Sequence, residues 1–138
     1  MLSLGSGAQA QDGAECFSKY TKTNVCAYAR EAQAKFSSIL PMQMSQTVTV
    51  VSAAAMGPML MITARWEMSK ADLDRRLVAN GVSPAQLGES MLALATNNAC
   101  GSPQLAAFVR LGGKIRWAYN TADHFPITSP TVESCPQP

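Results

Sequence analysis

The chain has 138 residues, a formal net charge of +2 and 47% hydrophobic residues. This length and apolar content suit one globular domain that buries its own core. The 11 Lys and Arg residues are scattered along the chain, which disfavours a nucleic-acid partner because phosphate binding needs clustered cations. No apolar run approaches the roughly 20 residues that cross a bilayer, so no membrane-spanning segment is expected.

Residues 1–10 look like the end of a bacterial export signal. Their last three residues, Ala8-Gln9-Ala10, follow the small-x-small pattern after which signal peptidases cleave. We therefore expect residues 1–10 to be a signal-peptide remnant and residues 11–138 to form a single domain that is periplasmic or secreted. The alternative is an N-terminal leader without a role in export.

The four cysteines of the chain allow three disulfide pairings. The residues between Cys16 and Cys26 are polar and rich in threonine, so we expect a loop closed by a local bridge. In one continuous helix the two Cα atoms would be about 15 Å apart, which is too far for a disulfide. We favour Cys16–Cys26 together with Cys100–Cys135. Four buried, reduced thiols are the alternative if the chain is not exported.

The first half of the domain is predicted to contain one helix and one hairpin. Apolar or small residues recur at helical spacing from Cys26 to Leu40, and Pro41 ends the pattern. Residues 46–51 and 59–66 alternate with period two, which indicates strands. Gly57-Pro58 lies between them, so the two strands should form a hairpin.

A helical block and a second pair of strands follow. Three short helices are expected to begin after the N-cap residues Ser69, Ser83 and Ser102. Residues 114–120 then alternate as a half-buried strand. Residues 125–133 return beside it as an edge strand, because Pro126 and Pro130 each lack a ladder donor.

The predicted element order is therefore α-β-β-α-α-α-β-β. Two hairpins separated by a helical block favour an α+β fold in two layers. We expect an antiparallel sheet of about four strands with the helices mainly on one face.

No catalytic or metal-binding constellation stands out in the sequence. The single histidine, His124, follows Asp123 in a predicted turn and lacks partners at ligand spacing. The eight methionines are the unusual feature of the composition. Thioethers bind Cu(I), yet the strand alternation around Met59 and Met61 favours core or partner-facing positions for these side chains. We expect no enzyme activity, no metal and no cofactor.

A partner-binding surface is expected on the sheet and on the helix that follows Ser83. Arg65 and Arg116 each neighbour a tryptophan and should emerge on the sheet face that the helices leave open. Flexible methionine side chains suit surfaces that receive a partner. The predicted partner-binding residues are Met59, Met61, Arg65, Arg116, Leu87 and Met91.

The order of these features resembles the pilotins of type II secretion found in vibrios. The resemblance rests on a helix ending at Ile39-Leu40-Pro41, a turn with Gly57, the strand Met59 to Trp66, Cys100, the strand entry Gly113-Lys114-Ile115-Arg116, and the terminal Ser134-Cys135. It spans about residues 29 to 135. The resemblance implies a small periplasmic α/β domain with a disulfide that binds a short helix at the C-terminal end of a secretin subunit.

The sequence therefore favours an exported, non-catalytic protein-binding module, such as a secretion-system or envelope-assembly accessory factor. Its partner would be another envelope or secreted protein. An inhibitor or immunity protein of an exported hydrolase is an alternative, in which the loop Asp123-His124-Phe125 plugs an active site. A small enzyme is the third and least favoured reading.

Overall fold

The computed structural model describes residues 13–18 and 22–136. The predicted signal-peptide remnant, residues 1–10, lies outside the described residues. After a short 3₁₀ turn at Ala14–Cys16, the described part contains four helices and one sheet.

Three of the four helices begin where the sequence places their N-caps, whereas the first helix ends at Ser37 and not at the predicted Leu40. Their bounds are α1 Val25–Ser37, α2 Lys70–Ala79, α3 Pro84–Cys100 and α4 Pro103–Arg110. The side chains of Ser69, Ser83 and Ser102 each accept a hydrogen bond from the backbone N–H three residues later, which satisfies a donor that the first helical turn leaves unpaired. The three predicted serine caps are thus confirmed.

The sheet contains six strands. They are β1 Met42–Gln43, β2 Val48–Met56, β3 Met59–Trp66, β4 Lys114–Asn120, β5 Pro126–Thr128 and β6 Thr131–Val132. The β2–β3 hairpin is confirmed, and Gly57 opens its two-residue turn with a φ of 59°, a conformation that glycine adopts without steric cost. Strand β2 continues beyond the predicted residues 46–51 to Met56. A bulge between Val50 and Ser52 shifts the register, and the alanine run that follows stays paired with β3.

The α+β class is confirmed, but the centre of the sheet is parallel. Strands β3 and β4 pair in parallel from Met59↔Lys114 to Arg65↔Asn120, while every other pairing is antiparallel. A parallel pair needs a crossover connection, and helices α2, α3 and α4 provide it. The sheet is therefore mixed, and it has six strands rather than about four.

The predicted return strand is divided into two short pieces. Strands β5 and β6 both pair with β4, and Pro130 lies between them. Pro130 cannot donate to the ladder, but its carbonyl accepts a hydrogen bond from the N–H of Trp117 at 2.9 Å. The proline positions thus place these strands at the edge, as the sequence predicted.

The core lies on one face of the sheet. Alternate residues of β3 and β4 point to this face and are buried, namely Leu60, Ile62 and Ala64 with Ile115, Trp117 and Tyr119. Helices α1, α3 and α4 contact the sheet, and most of their buried residues belong to the same apolar cluster. The other face of the sheet, which we call the outer face, carries half-buried and exposed side chains.

Both predicted disulfides are confirmed. The Cα atoms of Cys16 and Cys26 lie 5.0 Å apart, and those of Cys100 and Cys135 lie 5.5 Å apart, within the range that a disulfide spans. No free cysteine remains. The first bridge is buried, whereas the second joins the end of α3 to the residues after β6 and is half-buried.

Candidate partner-binding surfaces

The six predicted partner-binding residues lie at two separate places. Met59, Met61 and Arg65 alternate with the buried residues of β3, and Arg116 alternates with those of β4, so these four side chains belong to the outer face. Leu87 and Met91 lie on α3, which packs on the other side of the sheet. The structure therefore does not bring the six residues together.

The outer face combines methionines with cations. Met61 lies opposite Arg116, and Met59 lies opposite Lys114. Lys114 forms an ion pair with Glu133 at 3.6 Å. Arg116 is exposed, and within the described part of the chain no carboxylate lies close enough to pair with it. Among the described residues, Arg116 is thus a cation without a carboxylate partner, and it lies beside Met61 on the outer face.

Arg65 is held by a carboxylate instead of being available to a partner. Its Nε and Nη2 donate to Glu67 Oε2 at 3.1 and 3.0 Å. The hydrogen bond from Arg65 is the main reason that the pKa of the Glu67 carboxyl lies below its usual value, and Thr49 Oγ1 donates to the same oxygen. Charged groups that satisfy each other in this way contribute little to the recognition of a partner.

A stripe of α3 forms the second surface. Leu87, Met91, Leu94 and Asn98 follow one another at helical spacing, so they lie on one side of the helix. Met91 is 4% exposed and forms part of the core, because this part of α3 lies against the sheet. A partner can therefore touch Leu87 and Leu94, while Met91 supports them from below.

Two cavities open along this stripe. The first, of about 170 Å³, lies between α2, the start of α3 and β5; Leu73, Leu77, Leu87, Phe125 and Ile127 are its main apolar residues. The second, of about 200 Å³, lies between α3 and the loop before β2; it is lined by Met44, Ser45, Val48, Trp66, Met91, Leu94, Asn98 and Tyr119. We call the stripe and its two cavities the α3 groove.

The second cavity of the α3 groove is neutral and mainly apolar. Burial raises the pKa of the Tyr119 phenol to about 12, so Tyr119 stays protonated at physiological pH. The indole Nε1 of Trp66 is buried without a hydrogen-bond partner among the described residues. Met44 and Leu94 stand at the edge of the cavity with large exposed fractions, 39% and 48%. Such a surface suits the apolar face of a partner segment.

Sequence reasoning did not identify most of the α3 groove. Leu94 follows Leu87 by seven residues, so helical periodicity contained that signal. Met44 and Val48 reach the same cavity because β1 and β2 pair at the edge of the sheet and the loop between them approaches α3. No pattern within a local window of sequence carries that information.

The loop around His124 has a structural role. Asp123 Oδ1 accepts the backbone N–H of Lys70 at 3.0 Å, at the first turn of α2. A hydrogen bond with Thr121 is the main reason that the pKa of the Asp123 carboxyl lies below its usual value. Thr121 and Phe125 also close the loop through their backbones at 2.8 Å. The Asp123 carboxylate is thus engaged within the domain.

Across residues 13–18 and 22–136, no three His, Cys, Asp or Glu side chains are placed to hold a metal ion. No helix in those ranges has the length and apolar character to cross a membrane.

Comparison with known proteins identifies the fold. No family model and no curated protein sequence matches the chain. Among solved structures, the type II secretion system pilotin AspS from Vibrio cholerae matches with a TM-score of 0.59 and 16% identity, covering 79% of this chain and 88% of the pilotin. The chain has the fold of a type II secretion pilotin.

Two further solved structures share this fold. The pilotin EpsS of the Vibrio vulnificus type 2 secretion system matches with a TM-score of 0.62 and 16% identity, over 82% of this chain and 94% of the pilotin. A candidate secreted protein from Pseudomonas aeruginosa matches with a TM-score of 0.62 and 11% identity, over 79% of this chain and 88% of that protein. The resemblance to pilotins in the sequence is confirmed at the level of fold.

Proposed function

We propose that the chain is an exported, non-catalytic binding module that docks a short helical segment of an envelope protein. The pilotin fold is the observation that carries this proposal. A secretin subunit is the first partner to consider, and the periplasm is the compartment. The two closed disulfides support export, because such bridges persist in oxidising compartments.

The α3 groove is the docking surface in this proposal. Its two cavities are marked by Leu87 and Leu94, which are seven residues apart and therefore separated by about 10.5 Å along the helix axis. A partner helix that lies along α3 presents residues i and i+7 at the same spacing. Apolar residues at i, i+3 or i+4, and i+7 are the pattern by which amphipathic helices enter apolar grooves.

The partner segment should be uncharged where it enters the second cavity. Ser45, Asn98 and Tyr119 provide the polar groups there, and none of the residues that line the cavity carries a charge at neutral pH. A buried charge without a partner would cost several kcal/mol. Large apolar side chains, such as leucine or phenylalanine, are therefore the expected anchors.

The outer face, with Met59, Met61 and Arg116, remains a second predicted docking surface, while Arg65 on the same face is bonded to Glu67. The inhibitor alternative has less support, because Asp123 in the loop that would enter an active site is bonded to the first turn of α2. A protein that inserts such a loop would need this carboxylate free for the target.

The proposal is tested with synthetic peptides that cover the C-terminal segment of secretin subunits from the same genome, measured by fluorescence anisotropy. Leu94→Asp should weaken binding about thirty-fold or more, since an anchor residue contributes about 2 kcal/mol or more to the binding free energy. Leu92→Asp is the matched control, because Leu92 is 43% exposed against 48% for Leu94 and lies two residues away, on another side of α3.

Two outcomes would contradict the proposal. Wild-type protein that binds none of the peptides excludes the secretin partner. An equal loss in Leu92→Asp and Leu94→Asp excludes the α3 groove as the docking surface. Arg116→Glu in the same assay tests the outer face, because a loss confined to this variant assigns docking to that face.

A further inference from the structure

Three methionines meet at the tip of the β2–β3 hairpin. Met56 ends β2 and lies directly opposite Met59, the first residue of β3. Met61 follows Met59 by two residues on the same strand. Opposite residues of an antiparallel pair share a face, as do residues i and i+2 of a strand. All three thioether side chains therefore belong to the outer face.

Core packing does not account for these side chains. Leu60 and Ile62 take the core positions of β3 and are 0% exposed, whereas Met59 and Met61 are half-buried and Met56 is 57% exposed. Of the core and partner-facing positions that the strand alternation allows, the methionines thus take the ones that face away from the core. Their role must be sought at the surface.

The strand geometry brings the three sulfurs within reach of one ion. Directly opposite residues have Cβ atoms about 4.5–5.5 Å apart, and residues i and i+2 are separated by about 6.7 Å along a strand. A methionine side chain has three rotatable bonds, so each sulfur can reach a common point above the outer face. Ala54 lies opposite Met61, and its small methyl group leaves the surface above it open to the sulfurs.

We propose that Met56, Met59 and Met61 bind one Cu(I) ion through their thioether sulfurs. Thioethers are soft, neutral ligands that select Cu(I) over the harder divalent ions. Thiolates would compete for the same ion, but all four cysteines are closed in disulfides. This inference does not depend on docking in the α3 groove, because it uses only the outer face.

The neighbouring cations limit the affinity without blocking the site. Lys114 lies beside Met59, and its charge is offset by Glu133 at 3.6 Å. Arg116 lies beside Met61 and is exposed. A unit charge in contact with water acts weakly on a cation several ångströms away, because the high dielectric constant of water screens it. The long arginine side chain can also turn away from the bound ion.

The test is a competition titration under anaerobic conditions, in which the oxidised protein withdraws Cu(I) from the chromogenic chelator bicinchoninate. Wild-type protein should bind one equivalent. The variant M56L/M59L/M61L should bind at least tenfold more weakly, about 1.4 kcal/mol. Methionine and leucine have similar volumes, so the fold should be retained, and circular dichroism checks this.

The matched control is M42L/M44L/M68L, which also removes three methionines and should keep the wild-type affinity. A second measurement uses wild-type protein alone, with ¹³C-labelled methionine methyl groups and Ag(I) as a diamagnetic substitute. The methyl signals of Met56, Met59 and Met61 should shift together. The proposal is overturned if wild-type protein fails to compete for Cu(I), if both triple variants bind equally, or if other methionine signals respond instead.

Discussion

Removal of the Cys100–Cys135 bridge should lower the stability of the domain by an amount that loop length determines. The bridge joins residues 35 positions apart. In the chain-entropy description, closing a loop of that length reduces the entropy of the unfolded chain, which stabilises the folded state by about 3.8 kcal/mol at 25 °C. This is a large part of the total of about 5–15 kcal/mol that holds a typical domain folded.

The structure indicates that the effect should arise mainly in the unfolded state. Val132 pairs with Ile115 in the sheet and is buried, and Arg110 Nη2 donates to the Pro136 carbonyl at 2.9 Å. These contacts hold the C-terminal segment in place without the bridge. The folded state of Cys100→Ser/Cys135→Ser should therefore be close to that of the wild type.

The assay is thermal unfolding followed by circular dichroism. With an unfolding entropy of about 2.1 cal/mol/K per residue, a loss of about 3.8 kcal/mol lowers Tm by roughly 13 °C. Peptide mapping without reductant should show Cys16 joined to Cys26 and Cys100 joined to Cys135. An unchanged Tm in the double variant, together with free thiols in the wild type, would refute both the pairing and the entropy argument.

Three further variants test the packing and the electrostatics of the core. Gly113→Ala should destabilise the fold by about 1–3 kcal/mol, because its methyl group would meet the Phe108 ring at 2.5 Å. Gly88→Ala on α3, where the added methyl group would lie at an ordinary contact distance of 3.8 Å from Thr128 Oγ1, should instead stabilise by about 0.5–1 kcal/mol in urea unfolding. Burial raises the pKa of Tyr119 to about 12, so the stability that depends on its neutral phenol is present below about pH 10 and is lost as the pH rises towards 12. The loss in the free energy of unfolding is at most about 2.7 kcal/mol, and less where water reaches the hydroxyl. Tyr119→Phe should remove that alkaline loss in urea unfolding from pH 9 to 11.5, and Tyr28→Phe should keep it.

Local features of the sequence predicted the elements well. The helix starts at Ser69, Ser83 and Ser102 depend on hydrogen bonds that span three residues, so a short window contains the whole interaction. The Gly57 turn is equally local, because only the backbone conformation at that position is involved. For the same reason the hairpin was found together with its pairing direction.

Long-range features could not be predicted from short windows of sequence. Strand β4 follows β3 after a crossover of 47 residues, and the path of that crossover decides whether the two strands run parallel or antiparallel. No residue within β4 specifies the direction. The alternation of β3 separated Leu60 from Met61 correctly but did not show which face the helices cover. Met91 has the spacing of an exposed helical stripe, yet it is buried because α3 lies on the sheet at that point.

The parallel pairing of β3 with β4 also determines the order in which the chain can fold. Strand β3 is complete at Trp66, but its second neighbour begins at Lys114. During synthesis from the N-terminus, one edge of β3 therefore stays unpaired until helices α2, α3 and α4 have been synthesised. Cys135, near the C-terminus, closes the second bridge only after that. The β2–β3 hairpin can thus form early, and the domain is completed only when β4 and Cys135 are available.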